Sequence, residues 1–76
     1  MNDFERFQAL QGFLVEVGFH TTFDARREGN QAVFSLVVDV HDQPPEMMAK
    51  LSELTTDNNF AFTVNHDQAA ISLLQG

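Results

Sequence analysis

Two tripeptides of one pattern, His41-Asp42-Gln43 and His66-Asp67-Gln68, hold most of the groups in this chain able to do chemistry near neutral pH. An imidazole titrates in that range, and a neighbouring carboxylate can orient it or share a metal ion with it. Brought together, His41, Asp42, His66 and Asp67 would suffice for Zn²⁺ or a similar cation. Their spacing specifies no such site. Neither tripeptide has a helical or knuckle spacing of ligands, and Asp in a short polar segment is ordinary turn chemistry. The reading is therefore two turns, with no metal and no other cofactor. Ser35 and Ser72 stand outside any nucleophile-elbow pattern, and Gly12, Gly18, Gly29 and Gly76 are isolated rather than grouped into a phosphate-binding loop. Nothing in the sequence points to an enzyme.

The elements that position these groups follow from hydrophobic period. Phe4, Phe7, Leu10, Leu14 and Val17 recur at three- and four-residue steps, which predicts a helix over Asp3 to Val17, with Phe13 widening its apolar stripe. Asn2 is its cap, Glu5 follows three residues on, and Gly18 suits the left-handed position past its end. Strand one is expected at about Phe19 to Arg26, with Phe19, Thr21, Phe23 and Ala25 on one face and His20, Thr22, Asp24 and Arg26 on the other. Arg27-Glu28-Gly29-Asn30 reads as a hairpin loop, Gly and Asn supplying positive φ. Strand two, about Gln31 to Val40, is apolar on both faces: Ala32, Phe34, Leu36, Val38 and Val40 alternate with Val33, Ser35, Val37 and Asp39. Pro44-Pro45 opens a second helix with Met47, Met48, Leu51, Leu54 and Thr55 on its apolar face. Strand three, about Phe60 to Asn65, turns Phe60, Phe62 and Val64 inward, and strand four, Gln68 to Leu74, turns in Ala69, Ile71 and Leu73.

Gln31 to Val38 and Gln68 to Gln75 read alike, Gln-Ala-Val-Phe-Ser-Leu-Val-Val against Gln-Ala-Ala-Ile-Ser-Leu-Leu-Gln. Shifted by 41 residues, the chain matches itself from helix to first strand: Phe7 meets Met48, Leu10 meets Leu51, Gly18 meets Asn59 and Phe19 meets Phe60. The second strands then match at a shift of 37, which implies a second hairpin loop shorter by four residues. The expectation is one α+β domain over residues 1–76, an αββαββ chain built from two half-repeats, about 2–41 and 43–75. Its four-stranded antiparallel sheet has the order 1-2-4-3, both helices on one face and pseudo-twofold symmetry. That order puts the two apolar strands in the middle, whereas 2-1-3-4 would leave them at the edges. The layout is a circular permutation of the ferredoxin-like split βαβ plait, an architectural likeness.

Composition narrows the function classes. Four cations, Arg6, Arg26, Arg27 and Lys50, stand against eleven acids, for a net charge of −7. So few cations disfavour nucleic acid and anionic membrane surfaces as partners. No apolar run is long enough to span a bilayer, and the N-terminus lacks the basic start of a signal peptide, so the expected location is cytoplasmic. The chain has no cysteine to staple a small core, which makes association a second source of stability. With both helices on one face, the other is left open, lined by Val33, Ser35, Val37, Ala70, Ser72 and Leu74 and flanked by His20 and Thr22. The expectation is a non-catalytic binding or regulatory protein whose open face takes a protein partner, most simply a second copy. The alternatives are an acidic inhibitor imitating nucleic-acid charge on a basic partner and a metal- or small-ligand-binding domain.

Overall fold

The computed structural model describes residues 2–73. Helix α1 spans Asp3–Val17, strand β1 His20–Glu28, β2 Gln31–Asp39, helix α2 Pro45–Asp57, β3 Phe60–Asn65 and β4 Gln68–Leu73. The strands form one antiparallel sheet in the order β1-β2-β4-β3. This is the α+β layout and the strand order that the hydrophobic pattern implies.

Helix α1 begins where the Asn2 side chain accepts a hydrogen bond from the Glu5 N–H at 2.8 Å. It ends at Gly18, whose φ of 116° is costly for residues with a Cβ. Pro45 occupies the first turn of α2, and Asn59, just past the end of α2, has φ 63°. Thr55 is buried in α2 without an orphaned hydroxyl, because it donates to the Leu51 and Ser52 carbonyls. The helices run antiparallel: a Cβ at Gly18, where α1 ends, would meet Met47 in the first turn of α2, and Arg6 near the start of α1 donates to the Asn58 carbonyl at 3.3 Å.

The core lies between the helices and one face of the sheet. Phe7, Leu10 and Leu14 of α1 and Leu51 of α2 close over Leu36, Val38, Ala69 and Ile71 of the central strands, with Phe19 and Phe60 at the strand entrances. Phe23, Leu36, Ile71 and Phe62 form one row across all four strands. Burying a side chain of this size is worth roughly 1.5–3 kcal/mol. Phe7 lies against Phe23 at 5.8 Å and Phe60 at 5.0 Å, so one ring touches both hairpins.

Several details differ from the pattern-based reading. The first turn is Gly29-Asn30 alone; Arg27 and Glu28 are strand residues paired with Ala32 and Gln31. Only Gly29 in that turn has positive φ, 62°, the sign pattern of a type II′ turn rather than one with both residues left-handed. The second turn, His66-Asp67, is equally long, so its loop is not the shorter one. The missing four residues come out of the strand: Phe19 to Glu28 lie between Gly18 and Gly29, but only Phe60 to Asn65 between Asn59 and His66. An even number keeps every side chain on its own face. Phe13, 46% exposed, lies off the core, as does Val64 at 45%, and Phe4 is only half covered. Ala25 and Ala32 are exposed as well, on the far part of the first hairpin. Strand two ends at Asp39 rather than Val40, although Val40 still donates to the Asp67 carbonyl at 2.8 Å.

Candidate functional site

The open face is defined by register. Its central row is Thr22, Val37, Ala70 and Thr63, one residue from each strand. On one side lie His20, Asp39, Gln68 and Asn65; on the other, Asp24 opposite Ser35 and Ser72 opposite Ala61. Beyond these, Val33 pairs with Arg26. The burial pattern turns this whole face away from the helices: Leu36, Val38, Ala69 and Ile71 are buried, whereas Ala70, Ser72, His20 and Thr22 are exposed and Val33, Ser35 and Val37 half-buried. Leu74 lies outside the described residues.

The face is less apolar than its sequence implied. Its valines are half covered by neighbouring strands, and the most exposed large apolar side chains, Phe4, Phe13, Val15 and Val64, belong to α1 and to the other side of β3. What sets it apart is low charge and short side chains. In the row of Val37 and the row of Ser35 only Asp24, at the rim, is charged, and no side chain is bulkier than valine. In a chain with 20% charged residues, that makes a flat, nearly neutral strip across the sheet.

The face is dished at one end. A concavity of about 540 Å³ gathers His20, Thr22, Val37, Asp39, His41, Asp67 and Gln68. A second, of about 390 Å³, lies where β2 and β4 part, since the described pairing between them stops at Leu36 and Ile71; it opens on the helix side, lined by Asp3 and Phe7 of α1 with Ala32, Phe34 and Leu73, and Val33 and Ser72 border it through the gap. The predicted contact residues thus fall into two groups. His20, Thr22 and Val37 share the first hollow, Val33 and Ser72 the second, and Ser35 and Ala70 lie in neither.

The two tripeptides meet at the rim of the first hollow, as antiparallel pairing of β2 and β4 requires. His41 sits between two carboxylates, its Nδ1 3.0 Å from Asp67 and its Nε2 3.1 Å from Asp42. Both contacts are ion pairs only when the imidazole is protonated. The hydrogen bond to Asp67 and the charges of Asp42 and Asp67 raise the His41 pKa above its ordinary 6.5, which favours that form. Asp39 is occupied too, accepting from the His41 N–H at 2.9 Å. His66 takes no part in this clamp; it forms the turn itself, with φ 57°. Among the described residues no group of three or more His, Asp or Glu side chains is placed to hold a metal ion. Every buried side-chain nitrogen or oxygen described has a hydrogen-bond partner. The cluster is thus an exposed ionic clamp joining the end of β2 to the β3–β4 turn, a feature that sequence pairing indicated but whose hydrogen bonds it did not. Compared with protein-family models, curated proteins and solved structures, the chain matches none of them.

Proposed function

We propose that this chain is a small, acidic, non-catalytic protein-binding module whose working surface is the open face of the sheet, with a second copy stacked about a twofold axis as its simplest occupant. The observation that carries the reading is the strip through Thr22, Val37, Ala70 and Thr63 together with Ser35, Ser72 and Ala61. It is uncharged, it has short side chains, and no helix covers it. A flat surface of this kind can approach another sheet or helix closely with little desolvation of charge. Its hollow at the His20 end would seat larger side chains of the partner. The eleven acids are distributed over both helices, the strands and the turns rather than gathered in a line, which favours solubility as their role over imitation of a phosphate backbone.

Light scattering of wild type and Val37→Lys at two protein concentrations tests the reading. The wild type should exceed the monomer mass of 8.6 kDa at the higher concentration, and Val37→Lys should lower the mass by half. Unchanged association in Val37→Lys would remove the face from consideration. The association should also survive moderate salt, whereas contact through the acids would weaken steeply as ions screen them.

A further inference from the structure

The two rims of the sheet are built differently. β3 is six residues long and carries no charge. β1 is nine residues long, pairs with β2 at every position without a bulge and contains no proline. Edge strands are commonly guarded against pairing by brevity, proline, a bulge or charged side chains. β3 has the first of these, and β1 has only the last, with both signs of charge. It carries Asp24, Arg26, Arg27 and Glu28 in its exposed outer half, with the Arg26 guanidinium 3.2 Å from Glu28, so a second β1 in the right register meets opposite rather than like charge. Alternate residues of such a rim direct their amide and carbonyl groups outward.

We propose that β1 is a self-association edge, to which β1 of a second copy adds antiparallel about a twofold axis perpendicular to the sheet and passing beside Ala25. Under such an axis, residues opposite one another share a face, so the axis passes beside a residue and never between two. Electrostatics then chooses the residue. With the axis at Ala25, Asp24 stands opposite Arg26 of the second copy and Arg26 opposite its Asp24, two reciprocal ion pairs. On the other face Phe23 stands opposite Arg27 of the second copy, an aromatic ring beside a guanidinium. With the axis at Asp24, that carboxylate faces itself. At Arg26, two arginines meet and Asp24 faces Glu28. At Phe23, Arg26 faces His20 and no ion pair forms; at Arg27, Arg26 faces Glu28 but the two Arg27 side chains meet each other. Opposite charges across a ladder stabilise it and like charges destabilise it. The result is one sheet of twice the width, with the helices of both copies on one side and both open faces on the other. This contact uses the rim and goes beyond the reading of the open face, on which it does not depend.

Solution mass at two protein concentrations again reads the contact. Asp24→Arg sets arginine against arginine twice and should raise the dissociation constant by on the order of tenfold or more. Arg26→Asp should do the same with carboxylates. The exchange D24R/R26D re-forms both pairs in the opposite sense and should restore the wild-type mass. Both positions are exposed, and an unchanged circular dichroism spectrum separates a lost contact from a lost fold. Single variants that keep the wild-type mass, or a double variant as dissociated as the singles, overturn the proposal. So does a mass lowered by Val64→Lys, at an exposed position of β3, but not by Asp24→Arg, which moves the contact to β3. The open face fails separately: a mass lowered by Asp24→Arg and not by Val37→Lys keeps the edge and removes the face, and the reverse removes the edge. A wild type that stays monomeric at both concentrations removes both.

Discussion

The β1–β2 and β3–β4 hairpins each close on a two-residue turn whose first residue has positive φ, Gly29 in one and His66 in the other. Each enters from a helix through a left-handed residue, Gly18 or Asn59. They part company in length, with nine residues in β1 against six in β3. The six-residue hairpin ends close to where the helices stop covering it. The longer one continues past them, so Ala25, Arg27 and Ala32 point to the helix side of the sheet and are nevertheless exposed. The extension also carries Arg26 and Arg27, two of the four cations in the chain. The shared part of the two hairpins therefore builds the core, and the added length builds a rim that extends past the helices.

If both hairpins belong to one core, the side chain that touches both should cost most to remove. Phe7 is buried between Phe23 of the first and Phe60 of the second. Phe7→Ala should destabilise by about 3–5 kcal/mol, a loss of the order expected for a buried ring. The net stability of a chain this small is itself about 3–5 kcal/mol, so urea unfolding should find the variant largely unfolded without denaturant. Phe4, which is 42% exposed, sets its ring against those of Phe23 and Phe34, both of the first hairpin. Phe4→Ala should cost no more than about 2 kcal/mol. Equal losses from the two substitutions would break the comparison, because the first hairpin would then be held by its own aromatic cluster.

The same difference in length explains what the sequence could and could not tell. Helix α1 was legible to the residue, because its cap, its apolar period and Gly18 agree. The strand order was legible because β2 and β4 carry apolar residues where edge strands cannot. Alternation reveals which face a residue takes but not how far the helices reach over it, so Ala25, Ala32 and Val64 read as core and are not. Arg27 and Glu28 read as loop because polar residues at the tip of a projecting hairpin look like a turn. Phe13 shows the corresponding limit for a helix, since a three- or four-residue step places a ring on a flank without showing whether the neighbour covers it. At the candidate site, antiparallel β2 and β4 sufficed to bring the His-Asp tripeptides together. The clamp needed side-chain positions, and only coordinates show that His41 joins both carboxylates while His66 joins neither.

The turns give a smaller effect that sharpens the comparison. Both first positions are left-handed, but one is glycine and the other carries a side chain. The left-handed region costs a residue with a Cβ roughly 1–2 kcal/mol relative to glycine. Gly29→Ala should therefore destabilise by about 1 kcal/mol or more, although open space surrounds the new methyl group. His66→Gly should stabilise by up to about 1 kcal/mol, the relief of strain exceeding the entropy glycine brings to the unfolded chain. Paired thermal melts at one pH would show the two substitutions moving in opposite directions; a shared direction would mean that the turns are not equivalent.

The smallest effect concerns the ionic link that joins the hairpins among the described residues. His41 follows β2, Asp67 lies in the β3–β4 turn, and the 3.0 Å contact between them closes the rim of the first hollow. The Asp67 hydrogen bond, followed by the charges of Asp42 and Asp67 and more weakly Asp39, raises the pKa of His41 above 6.5, while slight desolvation opposes them. A raised pKa means that the folded chain holds this proton more tightly than the unfolded chain. The stabilisation is therefore complete below pH 6.5 and is lost as pH rises through the folded-state pKa. Solvent screens so exposed a pair, which keeps the effect small. Asp67→Asn should lower the His41 midpoint followed by NMR, and its stability deficit against wild type should be largest below pH 6.5 and shrink above the folded-state pKa. A deficit that grows with pH would give the link the wrong sign, leaving the hairpins joined by the β2–β4 ladder and the shared core alone.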